Sequence, residues 1–132
     1  MATGIIIPNT GKKICINRIF KDTPDYTAPS VFRVGTGTTT PTAADTDLEI
    51  PVTIAGNPTK AFSAGYPIID ETNFQSTLRG VLLTSEANGN TLTEFGSFNT
   101  DGTRLLFSRL VHTAIAKTSS IQVIYVEKDK LS

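Results

Sequence analysis

The residue types that could carry out chemistry are sparse in this sequence. His112 is the only histidine and Cys15 the only cysteine, and no carboxylate neighbours His112 along the chain. General acid–base and nucleophilic catalysis both need such groups within hydrogen-bond reach of one another. Ser63, Ser97 and Ser108 lack the surroundings of a nucleophile elbow. We therefore predict that the protein is not an enzyme, that His112 has a structural or surface role, and that Cys15 is a small buried apolar residue.

Two loop segments have compositions that occur in ion-binding and phosphate-binding loops. Asp45, Asp47 and Glu49 alternate as cation ligands can, but the rest of a calcium-binding loop is missing. The Gly-Thr-Gly-Thr run that contains Gly35 and Gly37 is not followed by the lysine that a phosphate-binding loop requires. We predict no metal and no other cofactor, a solvated acidic loop, and a structural turn at the two glycines.

Most aromatic residues fall in segments of strand composition, where core packing accounts for them. Tyr26 and Tyr66 instead lie close to prolines in loops. Both are candidates for contact with a partner subunit. Tyrosines can also stack on sugars, so a host-surface or carbohydrate-binding module is the alternative function, although the chain contains no tryptophan.

Length and charge narrow the class of protein further. A chain of 132 residues can bury one core but hardly two, which predicts a single domain. Its 12 basic and 12 acidic residues balance, and no basic stripe is present, so we predict no nucleic-acid partner. No apolar run reaches the ~20 residues of a membrane span, and no signal peptide is recognisable. We expect no membrane partner and synthesis in the host cytoplasm.

The second half of the chain has the pattern of an antiparallel β protein. Four segments have strand length and strand composition: residues 74–84, 92–99, 103–111 and 121–128. Asn88-Gly89 and Asp101-Gly102 separate them, and such dipeptides supply the positive φ angles of tight hairpins. In the last segment both faces are partly apolar, which predicts cover on both sides, by a second sheet or by a neighbouring subunit. The predicted fold is all-β, an antiparallel β-sandwich or partly open barrel.

The first half is less regular. Residues 11–21 fit a helical face and also strand alternation, and we favour a helix, which would be the only one. Residues 31–34 predict a short strand that ends at the glycine turn. We therefore divide the chain into an N-terminal arm, residues 1–10, and a β-rich domain, residues 11–132.

The arm contains three consecutive isoleucines, Ile5, Ile6 and Ile7, followed by Pro8. They are too apolar for a solvated tail and too few for a core element. Folding onto the protein's own sheet is one solution, and adding a strand to the sheet of a neighbour is the other. We favour the second, which makes the isoleucines candidate subunit contacts.

The segment around Glu94 raises a question of partners. If Leu92, Glu94, Gly96 and Phe98 share one face of a strand, Gly96 leaves room for close approach of a neighbour. A buried Glu94 would need a cationic partner, which Arg104 or Arg109 on the adjacent strand could provide. An exposed Glu94 with Gly96 at a bulge is the equal alternative.

Two stretches about fifty residues apart show a familiar order of motifs. The first is Val-Gly-Thr-Gly-Thr at residues 34–38, then Pro41 and Asp-Thr-Asp-Leu-Glu at residues 45–49. The second is Thr-Glu-Phe-Gly-Ser-Phe-Asn at residues 93–99, then Asp101-Gly102 and the basic residue Lys117. This order resembles the N-terminal module of phage tail-collar fibre proteins and small phage virion proteins. The resemblance covers about residues 30–128.

The resemblance implies a structural protein of the bacteriophage virion. No fibre shaft follows Ser132, so we expect a free-standing module, either a capsid decoration (cement) protein or a tail, neck or fibre adaptor. The implied partners are other virion proteins, such as the major capsid protein or tail and neck proteins. We also expect a homo-oligomer, with a trimer favoured.

Overall fold

The computed structural model describes residues 2–100 and 104–131, in which nine strands and one helix form two antiparallel sheets. The elements in chain order are β1 (Ala2–Ile6), α1 (Asn9–Phe20), β2 (Val31–Gly35), β3 (Pro51–Val52), β4 (Lys60–Ala61), β5 (Ile68–Asp70), β6 (Gln75–Leu82), β7 (Thr91–Phe98), β8 (Leu106–Ala116) and β9 (Val123–Lys130). The predicted all-β fold with one short N-terminal helix is confirmed. Residues 11–21, which fitted both patterns, are helical as far as Phe20.

The two sheets pack face to face as a sandwich. The first sheet has the order β1-β8-β7-β2-β3, with β4 also pairing with β2, and the second has the order β5-β6-β9. Phe32 of β2 lies over Gly80 of β6, where an added Cβ would come 2.9 Å from the ring. Phe95 of β7 stacks on Tyr125 of β9 with ring centroids 4.6 Å apart. Aromatic rings therefore fill the centre of the sandwich, and their burial stabilises the fold.

The outer face of the first sheet is also covered, by the long connection between β2 and β3. Leu48 of this connection packs with Phe98 and Leu106 in a small second core. A Cβ on Gly96 would come 2.7 Å from the Leu48 side chain. The close approach predicted at Gly96 is therefore made by Leu48 of the same chain, and β7 is buried on both faces.

The predicted strands in the second half are all present, but one connection differs from the prediction. Asn88-Gly89 joins β6 of the second sheet to β7 of the first, so it crosses between sheets and does not form a hairpin. Gly89 has a positive φ of 84°, and the other positive φ is at Ala87, not at Asn88. β7 and β8 do pair, but the Asp101-Gly102 turn lies outside the described residues. β8 extends past residue 111 to Ala116 because its end pairs with the start of β7.

The N-terminal segment is part of the first sheet in this chain. Its backbone pairs antiparallel with β8, with Ile5 opposite Leu110 and Ile6 opposite Arg109. α1 then begins at Asn9, so the structure has no boundary at residue 10 where the predicted arm ends. The isoleucine segment therefore folds onto the protein's own sheet, which is the first of the two solutions considered above. β8 supplies the hydrogen-bonding partners for its backbone. Contact of Ile5, Ile6 and Ile7 with a neighbour stays a prediction.

One face of α1 is attached to β8. Thr10 Oγ1 donates a hydrogen bond of 2.6 Å to the carbonyl of Leu106, and Ile14 is buried. A Cβ on Gly11 would collide with the carbonyl oxygen of Phe107. Glycine is therefore required at position 11 for the helix to approach β8 this closely.

Gly80 is a position between the two sheets at which an added side chain would meet the Phe32 ring. We expect Gly80→Val to lower the free energy of unfolding by about 1–3 kcal/mol, because the added methyl groups displace the Phe32 ring. Urea unfolding checks this, with Thr77→Val as the control. Thr77 lies on the same strand, three residues away, on its other face. Equal losses for both variants would contradict the packing of Phe32 on Gly80.

Candidate functional site

Glu94 is fully buried and organises the connection that covers the first sheet. Its Oε1 accepts hydrogen bonds from the backbone N–H groups of Gly37 (3.1 Å) and Ile50 (2.8 Å). Its Oε2 accepts one from the N–H of Glu49 at 3.0 Å. The carboxylate therefore ties both ends of this connection to the centre of β7.

Arg109 is the cationic partner of Glu94, one of the two arginines that the sequence analysis named as candidates. Its Nε lies 3.0 Å and its Nη2 2.9 Å from Glu94 Oε2, and its side chain is almost completely buried. Nη1 reaches Asp45 at 3.0 Å, and Nη2 donates to the carbonyl of Thr39 at 3.1 Å. The buried alternative for Glu94 is therefore correct, because two carboxylates and a carbonyl satisfy the guanidinium away from water.

Gly35 and Gly37 are required by this carboxylate. A Cβ on Gly37 would come 2.8 Å from Glu94 Oε1, and one on Gly35 would collide with the same oxygen. Neither glycine has a positive φ angle. A Cβ would also meet a second group, the carbonyl of Ile50 at position 35 and the Glu49 side chain at position 37, so close packing and not a sharp turn requires glycine there.

The acidic residues of the connection bind donors of the same chain. Asp47 accepts two hydrogen bonds from Arg33 Nη1, at 3.0 and 2.9 Å. Burial disfavours ionised Asp45, but hydrogen bonds from Thr42 and Arg109 outweigh it and lower its pKa. Glu49 accepts the N–H groups of Thr39 and Thr38, which lower its pKa. The described residues contain no group of three potential ligands suited to a metal ion.

His112 bonds to a tyrosine in this structure. Its Nε2 lies 2.8 Å from the hydroxyl of Tyr125, and its Nδ1 lies 2.8 Å from the carbonyl of Thr113. Burial is the main cause that lowers the pKa of His112, so the imidazole is neutral at pH 7 and Tyr125 donates to it. Burial also raises the pKa of Tyr125, which keeps the phenol protonated.

A second polar cluster, which sequence reasoning missed, lies between the sheets. Ser108 of β8 donates a hydrogen bond of 2.5 Å to Glu127 of β9 and also bonds to Ser97 of β7. Glu127 and Asp129 lie two residues apart on β9, so they face the same side. The sequence contained a signal for this cluster, because strand alternation puts Glu127 and Asp129 on the same face of β9 as the core residues Val123 and Tyr125.

The two carboxyl groups of this cluster affect each other's ionisation. Burial and the charge of Asp129 raise the pKa of Glu127 well above its usual value. Burial also raises the pKa of Asp129. Neither Glu127 Oε2 nor Asp129 Oδ2 accepts a hydrogen bond from a described donor. Ionisation of each carboxyl is therefore disfavoured by burial, and that of Glu127 also by the charge of its neighbour.

One of the exposed apolar surfaces of the described chain lies on α1. Ile16, Ile19 and Phe20 are 58%, 65% and 77% exposed. Residues three and four apart lie on one helix face, so the three side chains form a continuous patch, here called the helix patch. Buried Ile14 lies on the face toward β8, and none of the described residues covers the helix patch. The sequence analysis did not identify it.

The outer face of the second sheet is a further exposed apolar area. Ile124 and Val126 of β9 are 49% and 57% exposed, and Val81 lies directly opposite Ile124 on β6. Cover of β9 by a second sheet is therefore present on one side. Cover by a neighbouring subunit on the other side stays a prediction.

The two loop tyrosines contact cations of the same chain. The Lys13 ammonium lies 5.3 Å from the ring centroid of Tyr26, and the Arg79 guanidinium lies 6.0 Å from that of Tyr66. Tyr66 also packs against the main core. Lys117, the basic residue of the second motif, is buried and donates to Asn88 at 2.7 Å.

Comparison with protein-family models, with curated proteins and with solved structures gave no match. The described residues contain no helix long and apolar enough to cross a bilayer. The resemblance to phage virion modules therefore stays a prediction. The structure does show that its two motifs meet, because Gly35 pairs with Glu94 and the connection between β2 and β3 binds the Glu94 carboxylate.

Removal of the Glu94 carboxylate should release the connection. We expect Glu94→Ala to lower the free energy of unfolding by about 3–5 kcal/mol, because it leaves Arg109 buried with less negative charge and frees three backbone N–H groups. Glu71→Ala, at an exposed glutamate, is the control and should change it by less than about 0.5 kcal/mol. Urea unfolding measures both, and a small loss for Glu94→Ala would refute this role.

Glu127 should make stability fall as the pH rises. Glutamate in the unfolded chain titrates near pH ~4.3, and the pKa of Glu127 is higher in the folded chain. Between these two pKa values the folded chain binds more protons than the unfolded chain, so the free energy of unfolding falls as the pH rises. We expect Glu127→Gln to be more stable than the wild type at about pH 8, and the difference to vanish near about pH 3.5. Urea unfolding across this range, with Glu71→Gln as the control, tests it. A difference independent of pH would contradict the assignment.

Proposed function

We propose that the chain is a non-enzymatic structural protein of the bacteriophage virion, which docks on other virion subunits. A capsid decoration or cement role and a tail, neck or fibre adaptor role are the two forms of this function. The observation that carries the proposal is the helix patch. An apolar helix face with three large exposed side chains is typical of a surface that a second protein covers.

The rigidity of the polar network also supports a docking function. Glu94 and Arg109 hold the connection between β2 and β3 in one conformation, and Lys60 and Glu86 form a further ion pair of 2.5 Å. A preformed surface loses little conformational entropy when it binds. The acidic and basic groups around Glu94 are bound to one another, which favours a structural role for this network over catalysis.

The distribution of apolar surface favours a homo-oligomer as well as other partners. The helix patch lies on the β1-β8 side of the molecule, and Ile124 and Val126 lie on the outer face of the second sheet. Two separate surfaces allow contact with a capsid or tail protein and with further copies of the chain. We propose a trimer, which the molecular mass in solution tests directly.

Sedimentation with phage particles tests the docking function. The purified protein is incubated with expanded, undecorated capsids and, separately, with isolated tails, and both are pelleted. We expect binding to one particle, and we expect Phe20→Ser to weaken it by about tenfold or more, since a buried aromatic anchor contributes strongly to an interface. Circular dichroism verifies that the variant folds.

Asp22→Ser is the matched control, because Asp22 is an exposed residue that follows the same helix and is not one of the helix-patch side chains. It should bind as the wild type does. Binding to neither particle would overturn the proposal, and binding in a glycan array would favour the carbohydrate-binding alternative. Equal binding by Phe20→Ser and the wild type would remove the helix patch from the interface.

A further inference from the structure

A cavity of about 470 Å³ opens between α1, β5 and the end of β9. Its walls are mainly apolar, with Ile7, Ile69, Phe74, Phe107 and Leu131 as the large contributors. Ile69, Phe74 and Leu131 are also strongly exposed at its rim. A volume of this size accommodates a long side chain or a small ligand.

The cavity has an acidic group in its wall. Asp129 lines it, and the Oδ2 atom of Asp129 is buried without a described donor. Glu127 lies behind Asp129 on the same face of β9 and is also without a donor at Oε2. Neither carboxyl forms an ion pair with a cation of the described chain.

The other charged residues around the cavity do not change this balance. Asp70 and Glu71 also line it, against Lys130 as the single cation. Asp70 accepts hydrogen bonds from Thr72 and Asn73, which keep its carboxylate ionised. The cavity therefore combines apolar walls with an excess of acidic over basic groups, and a buried polar oxygen without a partner is costly.

We propose that this cavity binds the side chain of a lysine from a partner protein subunit, with its aliphatic part against the apolar walls and its ammonium at Asp129. The aliphatic stem of lysine suits apolar walls, and its ammonium is a compact donor that a single carboxylate can bind. The exposed rim favours a protein over a free amine, since Ile69, Phe74 and Leu131 extend the apolar surface beyond the cavity. This inference rests on the proposed docking function and adds the chemistry of the contact.

The first experiment tests the cavity without any partner. n-Pentylammonium, which carries the ammonium and aliphatic chain of a lysine, is titrated into the full chain and followed by two-dimensional NMR. We expect saturable shifts around Asp129 and Leu131 with a dissociation constant on the order of 1 mM. n-Pentanol should bind at least about tenfold more weakly, because it brings no charge. Equal binding of the two, or no saturable shift, would overturn the proposal.

Two variants locate the charge that the probe recognises. Asp129→Asn should weaken n-pentylammonium binding by about tenfold or more. Asp22→Asn, at an exposed acid outside the cavity, should leave it unchanged. If both variants bind as the wild type does, Asp129 is not the recognition group and the assignment is wrong.

The second experiment distinguishes a protein lysine from a free amine. The phage particle that binds the wild-type chain is acetylated at its lysines, which removes their charge. Acetylation should weaken wild-type binding about tenfold and should have no further effect on Asp129→Asn. An equal loss for both proteins would indicate general damage to the particle and no lysine at Asp129. If neither particle binds the wild type, the docking function fails, while the titration still decides the cavity chemistry. If the titration succeeds and Asp129→Asn binds the particle normally, the occupant is a free amine.

Discussion

The buried ion pair of Glu94 and Arg109 is the interaction on which the first sheet and its covering connection depend. Glu94 accepts three backbone N–H groups and the Arg109 guanidinium, all at 3.1 Å or less. A carboxylate buried without these donors would cost several kcal/mol. A connection with no regular structure of its own can therefore hold one conformation, since its polar backbone groups bond to a fixed side chain on a central strand.

This constraint explains features of the sequence that have no other evident cause. Gly35 and Gly37 are required because the Glu94 carboxylate and the Glu49–Ile50 segment bound to it occupy the space of their Cβ atoms, and Gly96 because Leu48 crosses the strand there. On one face of β7 the aromatic residue Phe95 packs in the core between the sheets, and on the other face Glu94 forms the ion pair. A strand in this position is buried on both faces, and its polar residues Thr93, Glu94 and Ser97 are buried with it.

The other half of the molecule has the opposite character. The second sheet has three strands, its outer face exposes Ile124 and Val126, and α1 exposes the helix patch. The polar groups between the sheets at this end, Glu127 and Asp129, have unpaired oxygens, unlike Glu94. At one end of the sandwich the buried polar groups are bonded to one another. The other end has exposed apolar side chains and unpaired carboxyl oxygens, which a partner subunit could cover. This asymmetry is the physical basis of the docking proposal.

The sequence by itself determined the fold class, because strand alternation and turn residues in the second half depend on local geometry alone, and it named Arg109 as a possible partner of Glu94. It did not determine whether Glu94 was buried, since that depends on Leu48 and Gly37, which are distant in the chain and meet β7 only in the fold. Asn88-Gly89 had the local signal of a hairpin, but its strands belong to different sheets because β6 pairs with β9. The helix patch and the acidic cavity were also decided by tertiary structure. The period of a helix or strand shows which residues share a face, and only packing against the rest of the chain decides which face is covered.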